Sequence, residues 1–132
     1  MTALGEYLVG LGQRRREWGV HDCATLPCDW AVLCGHPDPM AEWRGTYATD
    51  DDARAMIAAE GGLLPYFERA FANFDVRGGD PRPGDVGVIQ IAGLEAGAIF
   101  TGERWAFVGE RGIAMSKVNA SHIAKVWIIG HG

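Results

Sequence analysis

The sequence predicts an α+β fold: N-terminal helices packed on a C-terminal antiparallel β-sheet. Up to about residue 75, apolar residues recur at helical spacing between capping and stop signals. From about residue 84, short runs rich in Val, Ile, Phe and Trp alternate with Gly-bearing links, as strands and hairpins do. Helices first and strands second is the order of an α+β domain with its sheet segregated from its helices. At 132 residues, with 48% hydrophobic and 22% charged, the chain has the composition of a globular protein and the length for a core without staples. No repeat, low-complexity tract or linker divides it, so residues 1–132 read as one domain, helical over about 1–75 and strand-rich over about 84–130.

Thr2 caps a first helix expected to run to about Arg16, with Leu4, Leu8 and Leu11 on one stripe and Tyr7 beside them. A second helix is capped by Asp22 and ends near Cys34-Gly35, with Pro27 one turn in. His36-Pro37-Asp38-Pro39 forces a turn, and Trp43 to Tyr47 reads as an irregular connector anchored by aromatics. Thr49 or Asp50 caps a third helix to Glu60, its acids in the first turn where the dipole favours them, and Gly61-Gly62 stops it. A fourth helix covers about Leu63 to Phe74, with Phe67, Ala70, Phe71 and Phe74 on one stripe. After the turn-rich bridge Gly78 to Gly84 come strands at Asp85–Ile91, Gly97–Phe100, Arg104–Val108, Gly112–Met115 and Ala124–Ile129. Thr101-Gly102-Glu103 and Gly109-Glu110-Arg111 serve as hairpin links.

The net charge of −5 argues against nucleic acid or an anionic membrane surface as partner. The one basic cluster, Arg14-Arg15-Arg16, suits the end of the first helix. The N-terminus lacks the charged start and apolar run of a signal peptide, and no apolar stretch approaches the length of a membrane span. Cys23, Cys28 and Cys34 are odd in number and closely spaced, a poor disulfide framework, which points to synthesis in a reducing cytoplasm. The five tryptophans read as core packing plus an interaction surface, and Asp50-Asp51-Asp52 as a helix N-terminus rather than a calcium loop.

The stretch Trp18 to Trp30 carries the clearest chemistry. Asp22 as N-cap puts Cys23 on the first helical turn, where free amides and the helix dipole stabilise a thiolate. A zinc or iron–sulfur site made of the three thiols with His21 or His36 is disfavoured, because a rigid helix does not converge ligands at these spacings. No metal or cofactor is therefore implied.

Asp22-Cys23-Ala24-Thr25, followed by Pro83-Gly84-Asp85-Val86 at a strand entry and then short strands, resembles the NlpC-like branch of the papain-like cysteine peptidases. Trp18, His21-Asp22-Cys23, Asp29-Trp30 and Arg44-Gly45-Thr46-Tyr47 resemble more narrowly the small NlpC-like proteins of phage and prophage tail-gene clusters. The resemblance implies a papain-like fold, Cys23 as nucleophile and peptidoglycan stem peptides as substrate. The sequence departs from the family where its catalytic His begins the second strand: Glu95-Ala96-Gly97-Ala98 places Glu95 there. Trp105-Ala106-Phe107 offers no polar residue for the third position. Without a base the thiol stays protonated and no acid serves the leaving amine. His122, before the last strand, and His21, two residues from the thiol, are the remaining candidate bases, both better read as non-catalytic.

Three readings follow. The first is a structural or assembly protein of a phage-like tail tip with a degenerate active site. It would be made in the bacterial cytoplasm, located in the virion tail and bound to neighbouring tail proteins. The second is an active peptidoglycan peptidase or amidase, with Cys23 as nucleophile, a helix N-terminal amide at the oxyanion, and His122 or His21 as base. The third is a thiol-based metal-binding module.

Overall fold

Side-chain caps and glycines set the limits of the helices in the computed structural model, which describes residues 2–130. Helix α1 spans Ala3–Leu11, with the Gly5 amide donating to Thr2 Oγ1 at 2.9 Å. It stops five residues before Arg16. Gly12 turns to φ +36° and returns its N–H to the Leu8 carbonyl, while its own carbonyl accepts the Ile113 amide of the sheet at 2.9 Å. Arg14–Arg16 therefore lie in the following loop rather than on a helix. Helix α2 spans Thr25–Leu33, α3 Asp50–Ala59 and α4 Leu63–Ala70. Thr49 caps α3 by accepting from the Asp52 amide at 3.1 Å. The apolar stripe of α4 outlasts its helix: Phe71–Phe74 form a turn, yet Phe71 still packs between Phe67 and Trp127, each 5.7 Å away between ring centroids.

The strands are β1 Val86–Ile91, β2 Leu94–Phe100, β3 Trp105–Gly109, β4 Gly112–Ser116 and β5 Ile123–Trp127. They form one antiparallel sheet of order β4-β3-β2-β1-β5. Strand β2 begins three residues earlier than the sequence suggested. Ala92 and Gly93, at φ +50° and +80°, make a two-residue hairpin turn that pairs Ile91 with Leu94. Side chains alternate between two faces. Val88, Ile99, Ala106 and Trp127 meet Leu8, Leu26, Trp30 and Phe67 in the main core. Ile89, Ala98, Trp105 and Val126 form a second cluster on the other face, covered by Val118 and Ile123. Residues 117–122, ending in a 3-10 turn at Ala120–His122, thus carry the chain from β4 across to β5 over that face.

The two sheet edges are treated differently. Residues 75–77 cover β5, with Arg77 N–H on Val126 O and Ile128 N–H on Asp75 O, both 2.8 Å. The β2–β3 ladder is short, holding only Ile99↔Ala106 and Phe100↔Trp105. Counting from the two-residue hairpin turn, Glu95 and Gly97 are the residues of β2 whose N–H groups point away from β1, toward a stretch with no β3 partner. No helix among the described residues is long and apolar enough to cross a membrane.

Candidate functional site

Asp22 is 1% exposed, and its carboxylate is the hub of the site. Oδ1 accepts from the Ala24 and Thr25 amides at 3.0 and 2.8 Å. Oδ2 accepts from the Gly19 amide at 2.8 Å and the Tyr47 hydroxyl at 2.7 Å. The Asp22 amide in turn donates to Thr25 Oγ1 at 2.7 Å, a reciprocal cap. Gly19 is required there: at φ +84° a Cβ would lie 2.4 Å from the Tyr47 carbonyl oxygen. The connector 43–47, which the sequence marked as irregular, is thus fastened to the helix entry through Tyr47.

Regular α2 begins at Thr25, so half-buried Cys23 lies in the turn before it. Its carbonyl packs against Gly97 of β2, where a Cβ would come within 2.3 Å of that oxygen and of Phe67 Cζ. Burial pushes the Cys23 thiol up from 9.0 to about 11, and the Asp22 charge adds to the rise. The Gly97 amide, the Arg16 charge and Cys23's own amide pull in the other direction without overcoming it. The structure thereby reverses the expectation of a stabilised thiolate. The amides at the helix start are bonded to the Asp22 carboxylate, and that carboxylate repels a second negative charge beside it.

Glu95 projects from the same face of β2 as Gly97, two residues along the strand. It is exposed and makes no hydrogen bond or ion pair within the described residues. His21 is buried, and its Nε2 has no hydrogen-bond partner. Burial lowers its imidazole, with the Arg14 charge adding, while the Arg14 backbone carbonyl acts against both; the ring is neutral at pH 7. His36 Nε2 faces the Ile129 carbonyl at 2.8 Å. His122 is exposed and lines a cleft of about 550 Å³ with Gln90, Lys117 and Asn119, under the 117–122 crossover. His131 lies outside the described residues. Among the described residues, no imidazole is hydrogen-bonded to Cys23.

Two groups near the thiol were not singled out in the sequence. Tyr66 is fully buried, its hydroxyl unpartnered, and burial together with the neighbouring Cys28, Asp22 and Cys23 raises its phenol. Tyr47 is raised by burial and by Asp22, to which it donates. Tyr47 is recoverable only through the Arg44-Gly45-Thr46-Tyr47 pattern; nothing local to Tyr66 marks it. Cys28 is buried and Cys34 half-buried, both as free thiols. No three His, Cys, Asp or Glu side chains among the described residues are grouped to hold a metal ion.

A family model described as "Domain of unknown function (DUF6950)" matches residues 1–129. The chain belongs to this family. The matched DUF6950 span takes in Asp22, Cys23, Tyr47 and Glu95 together with all five strands. No curated protein and no solved structure matches the chain.

Proposed function

We propose that this protein is a structural or assembly component of a phage-like tail tip, built on an NlpC-like, papain-like scaffold whose peptidase site is not equipped for catalysis. The main support is the state of Cys23: a thiol raised to about 11 with no imidazole bonded to it among the described residues. A thiol at that value is ionised to roughly one part in ten thousand at neutral pH, which leaves almost no nucleophile. The scaffold reading draws on the packing of the Asp22–Cys23 turn against β2. Glu95, at the family's His position, is on the same face of β2 as the Gly97 that Cys23 touches. In this reading the protein resides in the virion tail and contacts neighbouring tail proteins through its surface.

The test compares wild type with Cys23→Ala on purified muropeptides and on virion assembly. The expected result is no Cys23-dependent cleavage by mass spectrometry, and normal particles from the Cys23→Ala variant but defective tails on deletion of the protein. Cleavage that disappears in Cys23→Ala overturns the degenerate-site reading in favour of an active peptidase. Normal infective particles without the protein overturn the assembly reading.

A further inference from the structure

We propose that the β4 edge at Met115, beyond the part covered by Gly12–Gln13, accepts an extended segment of a partner protein as a sixth strand, seating an apolar side chain of that segment in the groove between β4 and α1. Gly109 and Gly112 flank a two-residue turn, so Ile113 and Met115 are the residues of β4 whose backbone groups point away from β3. The Ile113 amide confirms this parity by donating outward to the Gly12 carbonyl at 2.9 Å. One step on, the Met115 N–H and C=O have no partner among the described residues, while the opposite sheet edge is covered by residues 75–77.

Beside those free groups lies a groove of about 480 Å³ lined by Leu4, Leu8, Val9, Thr101, Ile113 and Met115. Val9 is 68% and Met115 48% exposed on its rim. Unpaired backbone along a pocket for alternate side chains is the arrangement that strand addition uses. Charge favours a partner with acidic residues at one end. Arg16 reaches Glu110 in the turn before β4 at 3.7 Å and Arg14 reaches Glu17 at 3.8 Å, while their chain neighbours Arg15 and Arg111 have no acid within 4.0 Å among the described residues. A second copy of this chain fits less well. Antiparallel pairing of two β4 edges sets Arg111 of one copy toward Lys117 of the other. Gly12–Gln13 beside Gly112 confines any added strand, copy or partner, to the edge from Met115 onward. The surface is two strands away from Gly97, so it stands whether or not Cys23 is active.

The test titrates the isotopically labelled full chain with the peptide acetyl-Thr-Val-Thr-Leu-Thr-Asp-Glu-amide, to about 1 mM, followed by amide shifts and hydrogen exchange. Expected are shifts centred on Val9, Ile113 and Met115, and exchange of the Met115 amide slowed about tenfold or more. N-methylation of every second peptide amide should abolish binding in one register only, because only alternate amides face β4. Val9→Glu, on an exposed helix face and checked for folding by circular dichroism, should weaken binding about tenfold by charging the groove and repelling the peptide acids. No shifts at β4, equal binding of both N-methylated peptides, or no effect of Val9→Glu overturns the proposal. So does a dimer in sedimentation that already protects Met115 in the free chain, since the second copy then takes the edge.

Discussion

Four donors converge on the Asp22 carboxylate, and its charge adds to the burial that raises the neighbouring Cys23 thiol. Removing it in Asp22→Ala strands two helix-start amides, the Gly19 amide and the Tyr47 hydroxyl, all at a buried position. The expected loss is about 3 kcal/mol or more of folding stability, measured by urea unfolding. Asp22→Asn should lose less, because its amide oxygen still accepts from two of the four donors. For Cys23, alkylation by iodoacetamide should be slow at neutral pH and climb about tenfold per pH unit until it levels near the thiol's value of about 11. Mass spectrometry of quenched samples reads this, and a rate already level by pH 8 would contradict the raised thiol. The capping role of Asp22 was legible in the sequence because it is local, spanning three residues. The thiolate expectation failed chiefly because β2 buries the turn, a packing that no local rule reveals, and secondarily because the charge of the capping Asp22 opposes a thiolate beside it. Tyr47 lies 25 residues from Asp22 in the chain, and no local rule reaches that far.

At the scale of elements, one glycine decides how the helix entry meets the sheet. Gly97→Ala puts a methyl 2.3 Å from the Cys23 carbonyl oxygen and the Phe67 ring, and backbone on one side cannot swing away. A loss of about 2–4 kcal/mol is expected, seen as a lower melting temperature in calorimetry. Gly10→Ala serves as the contrast, with nothing within 4 Å of the added methyl in the last turn of α1. It should stabilise by up to about 1 kcal/mol through helix propensity. The four helices and five strands were legible as periodicity, while their ends were not where tertiary contacts intervene. Helix α1 stops at Gly12 because β4 takes the Gly12 carbonyl, and α4 stops before its aromatic stripe does. The β1–β2 turn was missed because Ala92 is a rare residue at positive φ, so the strong Asn-Gly or Asp-Gly signal is absent.

For the molecule as a whole, the buried and half-buried acids of highest ordinary value all move the same way. Burial pushes Cys23 and Cys34 from 9.0 to about 11, and raises Cys28, Tyr7, Tyr47 and Tyr66 as well. The unfolded thiols release their protons from about 9.0 upward, while the folded ones hold them to about 11. Between those values the unfolded chain binds fewer protons, so stability falls as pH rises. Below about pH 8 these groups contribute almost no slope. Thermal melts at pH 8 and pH 10.5 should show a clear drop at the higher value, and unchanged melting would refute the burial of these groups. The order of helices before strands was readable from the chain. The passage of residues 117–122 over the second sheet face was not, because Lys117 to His122 carries no periodicity to give its path away.

The short β2–β3 ladder divides the sheet into two plates of unequal attachment. Strands β3 and β4 share five residue pairs and β1 and β2 share six, but only two pairs join one plate to the other. A seam with so few backbone bonds is where sub-global opening begins. Native-state hydrogen exchange should find the β3–β4 amides exchanging together, at lower opening free energy than those of β1, β2 and β5. The hairpin then behaves as a leaf hinged on Ile99 and Phe100, and its parting uncovers Ala106 and Val108, the share of the core that it carries.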